Sequence, residues 1–90
     1  WYILIMKKVT IYTGNPCPFC EAAKTLLKSK NVEIDELDVW KDPTKAKEML
    51  RRTNGARSIP QIFIGDYYIG GNDKLQEANR NGELDKLLKS

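Results

Sequence analysis

The order of strand and helix signals predicts an α/β domain: a mixed four-stranded sheet with helices on both faces, in the order β-α-β-α-β-β-α. Three observations carry that prediction. Strand-like and helix-like runs alternate through the first half of the chain. A β-hairpin signal opens the last third. The 90 residues suit one domain with a single modest core.

Lys8 to Thr13 is rich in β-branched and aromatic residues, which predicts the first strand. Gly14-Asn15-Pro16 breaks it, and a helix follows from Cys17. Phe19, Ala23, Leu26 and Leu27 recur at helical spacing and are expected to form that helix's buried face. Asn31 ends it. Val32 to Val39 alternates, with Val32, Ile34 and Leu37 expected to point inward, as a second strand. Asp42-Pro43 pairs an N-cap with a proline at the first helical position, so a second helix starts there. Ala46, Met49 and Leu50 form its inner stripe, and Asn54-Gly55 stops it.

Gln61-Ile62-Phe63-Ile64, Gly65-Asp66 and Tyr67-Tyr68-Ile69 read as strand, tight turn and strand. Gly70-Gly71 leads into a capped helix from Asn72 or Asp73, with Leu75 and Ala78 inward. Gly82 interrupts it, and Leu84, Leu87 and Leu88 pack a last short helix. The first β-α-β unit implies a parallel pair with a right-handed crossover, and the hairpin adds antiparallel strands.

Composition narrows the chemistry. A hydrophobic share of 41% and a charged share of 30% describe an ordinary globular protein. The net charge of +3 comes from basic and acidic residues that are interspersed, which speaks for a solvated surface and against a nucleic-acid partner. Histidine is absent, so Ser-His-Asp and Cys-His catalysis are excluded, as is any Cys/His zinc site within one chain. Residues 1–5 precede Met6-Lys7-Lys8 and are expected to be a cloning remnant or an upstream extension, leaving 6–90 as the domain. The apolar run Trp1 to Met6 is too short for a signal-peptide core or a membrane span. A cytoplasmic protein with no membrane partner is expected.

Cys17-Pro18-Phe19-Cys20 contains the chain's two cysteines. Residues at i and i+3 share a helix face, so the two sulfurs can close a disulfide at the helix start. Pro18 fits the first helical position, where its missing N–H costs nothing. Cys17 then sits at the N-cap, where its sulfur accepts hydrogen bonds from the Phe19 and Cys20 N–H groups. A thiolate accepts them better than a thiol, and the positive helix end adds to this, which points to a redox nucleophile. The bland alternatives are two inert buried cysteines, or half of a zinc site that a second chain would complete. Ile59-Pro60 marks a strand edge, or supplies a cis bond that turns the Ile59 backbone toward a bound peptide-like substrate. Gly71-Asn72-Asp73 is a turn with an N-cap, or an anion site at a helix start.

Taken together, Ile11-Tyr12-Thr13, Cys17-Pro18-Phe19-Cys20, Ser58 to Gly65 and Ile69 to Asp73 resemble the small bacterial dithiol glutaredoxins, over about Lys7 to Lys89. The resemblance implies the thioredoxin fold, a monomer, and glutathione as the reducing co-substrate with no metal. It implies a cis Pro60, an Ile59 backbone that binds the cysteinyl part of glutathione, and Ser58 beside it. Gly71, Asn72 and Asp73 would hold the γ-glutamyl end. Lys47, or Arg57 in its place, would meet the glycyl carboxylate. Expected partners are disulfide-containing or glutathionylated proteins, ribonucleotide reductase among the candidates. The chain departs from the family pattern in four places. Gly14 stands where many members have Lys, Phe19 replaces Tyr, Lys74 replaces an acid, and Glu21 puts a negative charge beside the pair. Two alternatives share the motif: a ribonucleotide-reductase-associated redoxin fed by thioredoxin reductase, and a dimeric [2Fe–2S] carrier ligated through Cys17 and glutathione.

Overall fold

The computed structural model describes residues 8–14 and 16–89; the expectation for residues 1–5 falls outside them. The elements are β1 (Val9–Thr13), α1 (Pro18–Ser29), β2 (Ile34–Asp38), α2 (Pro43–Arg52), β3 (Gln61–Ile64), β4 (Tyr67–Gly70), α3 (Asn72–Arg80) and α4 (Glu83–Leu88). The expected α/β order is found, with the last short helix as α4. The sheet order is β2-β1-β3-β4. β1 and β2 run parallel with Val9 opposite Ile34, while β3 lies antiparallel to β1 with Val9 opposite Ile64. β3 and β4 form the hairpin, and Gly65 takes φ 59 in its turn, a conformation glycine adopts without a side-chain clash. Ile69 is an extra residue in β4, because Phe63 pairs with Tyr68 and Ile62 with Gly70.

Period-two alternation puts each strand's residues on two opposite faces, and both are covered. Val9, Ile11, Ile62 and Ile64 pack with Ala23 and Leu27 of α1, Leu75 and Ala78 of α3, and Leu84 and Leu88 of α4. Tyr12 and Phe63, of opposite parity, pack with Val39, just past β2, and with Met49 of α2. β2 is shorter than the alternation suggested, and its inward residues divide. Val32 and Ile34 join the larger cluster, whereas Leu37 joins the smaller one. The side chain of Leu37 has the other parity, so it cannot share a face with them.

Helix ends follow local chemistry. Asp42 caps α2 by accepting from the Thr44 N–H at 3.0 Å, with Pro43 first in the helix. Asn31, just past α1, takes a left-handed φ of 58. The expected side-chain cap of α3 is not made. Gly71 occupies the N-cap, and the Asn72 side chain accepts from Gln76 instead at 3.2 Å.

Pairing brings four chain segments to one end of the sheet. β1 leaves it at Thr13 toward Cys17, and β2, parallel to β1, leaves it at Asp38 toward Trp40. β3 enters there at Gln61, opposite Tyr12, and β4 ends there at Gly70. The segments that carry the chemistry-bearing residues therefore converge, although 56 positions separate Cys17 from Asp73.

Candidate functional site

Cys17 is the N-cap of α1 in extended conformation, and Cys20 is the third helical residue. The Cys20 backbone N–H donates to Cys17 Sγ at 3.2 Å. That bond satisfies one of the helix's orphan donors with the sulfur. Of the two N–H groups expected to do this, Cys20's is the one so bonded. Both cysteines are free thiols. Cys17 keeps 9% of its surface exposed, whereas Cys20 keeps none. Burial first, and then the hydrogen bond with Cys17, push the Cys20 thiol well above its ordinary range; the Gly14 backbone and the Lys24 charge offset this only in part. Both cysteines are buried, and of the two Cys17 alone keeps an edge toward solvent.

A cavity of about 250 Å³ is lined by Phe19, Ser58, Ile59, Pro60, Gly71, Asn72 and Asp73; Phe19 joins it to the dithiol motif, and neither cysteine lines it. The six residues singled out around the two loops thus share one cavity. Lys47 does not line it; it is exposed on α2. Arg57 opens onto a neighbouring cavity with Trp40. Phe19 corrects its expected place in the buried stripe of α1, for it is 66% exposed. It belongs to the first helical turn and lines the cavity of the two loops instead of the core, so Cys20, Ala23 and Leu27 form the buried stripe.

The Ile59–Pro60 peptide bond is cis. Buried Gln61 holds the loop before it: its Nε2 donates to the Ser58 carbonyl at 2.9 Å and to Ser58 Oγ at 3.1 Å, while its Oε1 accepts from the Tyr68 hydroxyl. A polar side chain so buried must find partners, and these tie the loop to β4. The α3 N-terminus, lacking a side-chain cap, leaves first-turn N–H groups available toward the same cavity, a setting that favours an anion. Among the described residues no group of three His, Cys, Asp or Glu could hold a metal ion.

A glutaredoxin family model matches residues 9–69. The chain belongs to the glutaredoxin family. It is 45% identical over 84 residues to glutaredoxin 3 of Escherichia coli K12, covering 93% of this chain and all of that one. It is 38% identical to glutaredoxin 1 of Rickettsia conorii, covering 96% and 85% of the two chains. The solution structure of a glutaredoxin from Brucella melitensis superposes with a TM-score of 0.79 at 43% identity, over 93% of this chain and 90% of that one. This glutaredoxin therefore has the thioredoxin-like fold and the family's thiol–disulfide oxidoreductase activity. No helix among its described residues is long and apolar enough to cross a membrane.

The structure gives the family departures physical reasons. A Cβ on Gly14 would lie within 2.6 Å of Trp40 Cε2 and Cε3 and closer still to Cδ2. The indole lies over the glycine's backbone and takes the space where a lysine stem would start. The charge of Glu21 is met by Lys24 at 2.7 Å. Lys24 also bonds Glu36 of β2 at 2.9 Å, and Thr13 Oγ1 donates to the same carboxylate at 3.1 Å. Lys74 turns toward a separate cavity with Tyr67 and Glu77. Sequence reasoning missed Trp40 and Gln61. The one signal for Gln61 was a polar residue opening an apolar strand; for Trp40, it was a lone aromatic outside every periodic pattern.

Proposed function

We propose that this glutaredoxin reduces protein disulfides and glutathione mixed disulfides with glutathione as reductant, through Cys17 and Cys20. The observation that carries this is the Cys17 sulfur at the N-terminus of α1, accepting from the Cys20 N–H at 3.2 Å, with Phe19 of the same motif lining a cavity formed by both loops. Cys17 attacks the glutathione sulfur of a mixed disulfide, and the protein thiolate leaves. A second glutathione thiolate then attacks that same glutathione sulfur, releasing oxidised glutathione and restoring the Cys17 thiolate. On the two-thiol route, Cys17 attacks one sulfur of a protein disulfide and one protein thiolate leaves; Cys20 then loses its proton and attacks the Cys17 sulfur, the second protein thiolate leaves, and the Cys17–Cys20 disulfide remains for glutathione to reduce. The one-thiol route carries glutathione mixed disulfides, since it needs no attack by the fully buried Cys20.

In the cavity, Ile59 offers its backbone to the cysteinyl part of glutathione, with Ser58 and Pro60 forming the adjoining wall. The α-carboxylate at the γ-glutamyl end meets the uncapped N–H groups at Gly71 and Asn72, while the Asp73 carboxylate faces the ammonium. For the glycyl carboxylate, Arg57 is better placed than Lys47, since it directly precedes the cavity residue Ser58. Disulfide-containing or glutathionylated proteins are the substrates, and the protein acts as a cytoplasmic monomer. Cys17→Ser should abolish turnover of a glutathione mixed disulfide. Cys20→Ser should keep at least half of that rate and lose reduction of protein disulfides. Initial rates coupled to glutathione reductase check this, and equal loss in both variants would overturn the assigned roles.

A further inference from the structure

Gln61 lies two residues before Phe63 on β3, and Tyr68 stands directly opposite Phe63 on β4. Tyr68 is therefore a diagonal neighbour of Gln61 on the same face, within reach of a long side chain. Its ring is fixed. It stacks on Phe63 with centroids 4.9 Å apart, and the Arg52 guanidinium of α2 lies 4.0 Å from the Phe63 centroid. The Tyr68 hydroxyl donates to Gln61 Oε1, while Gln61 Nε2 donates to the Ser58 carbonyl at 2.9 Å and to Ser58 Oγ at 3.1 Å.

The direction of these bonds follows from what each group can donate or accept. A carbonyl only accepts, so an amide oxygen cannot face that of Ser58, and Nε2 must. Oε1 is then left for Tyr68, whose hydroxyl has to donate to it. Ser58 Oγ takes a proton from Nε2, so its own O–H is left to donate elsewhere, and no described residue accepts it. Ser58 is exposed and lines the cavity of the two loops, whereas Tyr68 does not line it.

We propose that Tyr68 is a positioning residue for glutathione: acting through Gln61, it turns the Ser58 hydroxyl proton toward an acceptor oxygen of the glutathione bound in that cavity. This rests on the glutathione-dependent reading above. Ser58 lies between Arg57 and Ile59, which serve the glycyl carboxylate and the cysteinyl part, so the acceptor belongs to the glycyl side of the tripeptide. Without the Tyr68 hydroxyl, the Gln61 amide would turn over and draw the Ser58 O–H to Oε1, because a buried acceptor left unpaired is costly. The proton would then point away from glutathione.

Initial rates with the mixed disulfide of glutathione and cysteine, coupled to glutathione reductase, test this in the unaltered protein and four variants. In the unaltered protein that compound should exceed cystine about tenfold in kcat/KM. No preference would sink the glutathione reading and this proposal with it. A preference that Tyr68→Phe keeps in full would overturn the proposal alone. Tyr68→Phe retains the ring stack and should raise KM for the mixed disulfide about fivefold with kcat within about twofold, the pattern of lost uniform binding. Ser58→Ala should do the same, and Ser58→Thr, which keeps a hydroxyl, should recover most of the loss. Tyr68→Phe added to Ser58→Ala should cost nothing further, because the proton it directs is already gone. Losses that multiply in the double variant would overturn the proposal, since Tyr68 would then act through the general firmness of the hairpin. Alkylation of Cys17 by iodoacetamide should keep its rate in all four variants. A slower reaction in Tyr68→Phe would place the effect at the thiol and overturn the positioning role.

Discussion

Cys17 and Cys20 are three residues apart and chemically unlike. Cys17 sits outside the first helical turn with an edge toward solvent, whereas Cys20 faces the core below it and has no exposed surface. Burial disfavours a charged sulfur, and this difference in position is what supports the proposed attacking role of Cys17 and resolving role of Cys20. Gly14 shows the same dependence on neighbours. A side chain there must displace the Trp40 ring, and overpacking of this kind costs about 1–3 kcal/mol. Gly14→Lys is therefore expected to lower the melting temperature, and the same change in a Trp40→Ala background to cost less than half as much. Thermal melts of the four proteins decide it; an equal cost in both backgrounds would show that the indole is not the obstacle.

At the scale of elements, α1 is held at both of its polar and apolar faces. Cys20, Ala23 and Leu27 anchor it to the sheet, and Lys24 pins it to β2 through Glu36 while also meeting Glu21. The Lys24 ammonium, chiefly, holds the Glu36 carboxyl below its usual range, with the Thr13 hydroxyl assisting and burial opposing. Lys24 is held above its own range by Glu21 first and Glu36 second. A lowered acid stabilises the fold above its unfolded pKa of about 4.3 and stops doing so as pH falls through the folded value. A raised lysine stabilises below about 10.4 and stops as pH rises through its folded value. The stability advantage of the parent over Glu36→Gln should thus be greatest near neutrality and shrink at both extremes. Because Glu36 is nearly half exposed, solvent screens the pair and the advantage should be modest. Melting temperatures of the two proteins at pH 3, 7 and 11 test the sign; a gap that widens in acid would contradict it.

Across the whole molecule, a sheet covered on both faces gives a chain of this size two apolar clusters to bury. Removing a core side chain should cost about 2–5 kcal/mol, against a total of roughly 5–15 kcal/mol for a domain. Leu75→Ala empties the larger cluster under α3, where the neighbours are closely set, and belongs at the upper end. Met49 also lines the open cavity beside Trp40, so water can fill the space left by Met49→Ala, which belongs at the lower end. Urea midpoints should rank the parent above Met49→Ala and Met49→Ala above Leu75→Ala. The same layering explains the site. The residues proposed to face glutathione come from loops before β3 and after β4, and the antiparallel pairing of β3 with β1 and of β4 with β3 returns both loops to the end of the sheet where the dithiol lies.

Local rules were enough for everything that depends on near neighbours: Pro18 and Pro43 at helix starts, Asn31 and Asn54-Gly55 at helix ends, the Gly65 hairpin, and a dithiol opening a helix. Caps, turns and hydrophobic periods act over a few residues, so they are written in the chain itself. Tertiary structure alone decided that Phe19 leaves the core, that Leu37 faces away from Ile34, that Gly71 leaves α3 uncapped and that Trp40 covers Gly14. Each of those outcomes depends on which element lies across from it, and that follows from strand register and layer packing between residues distant in sequence.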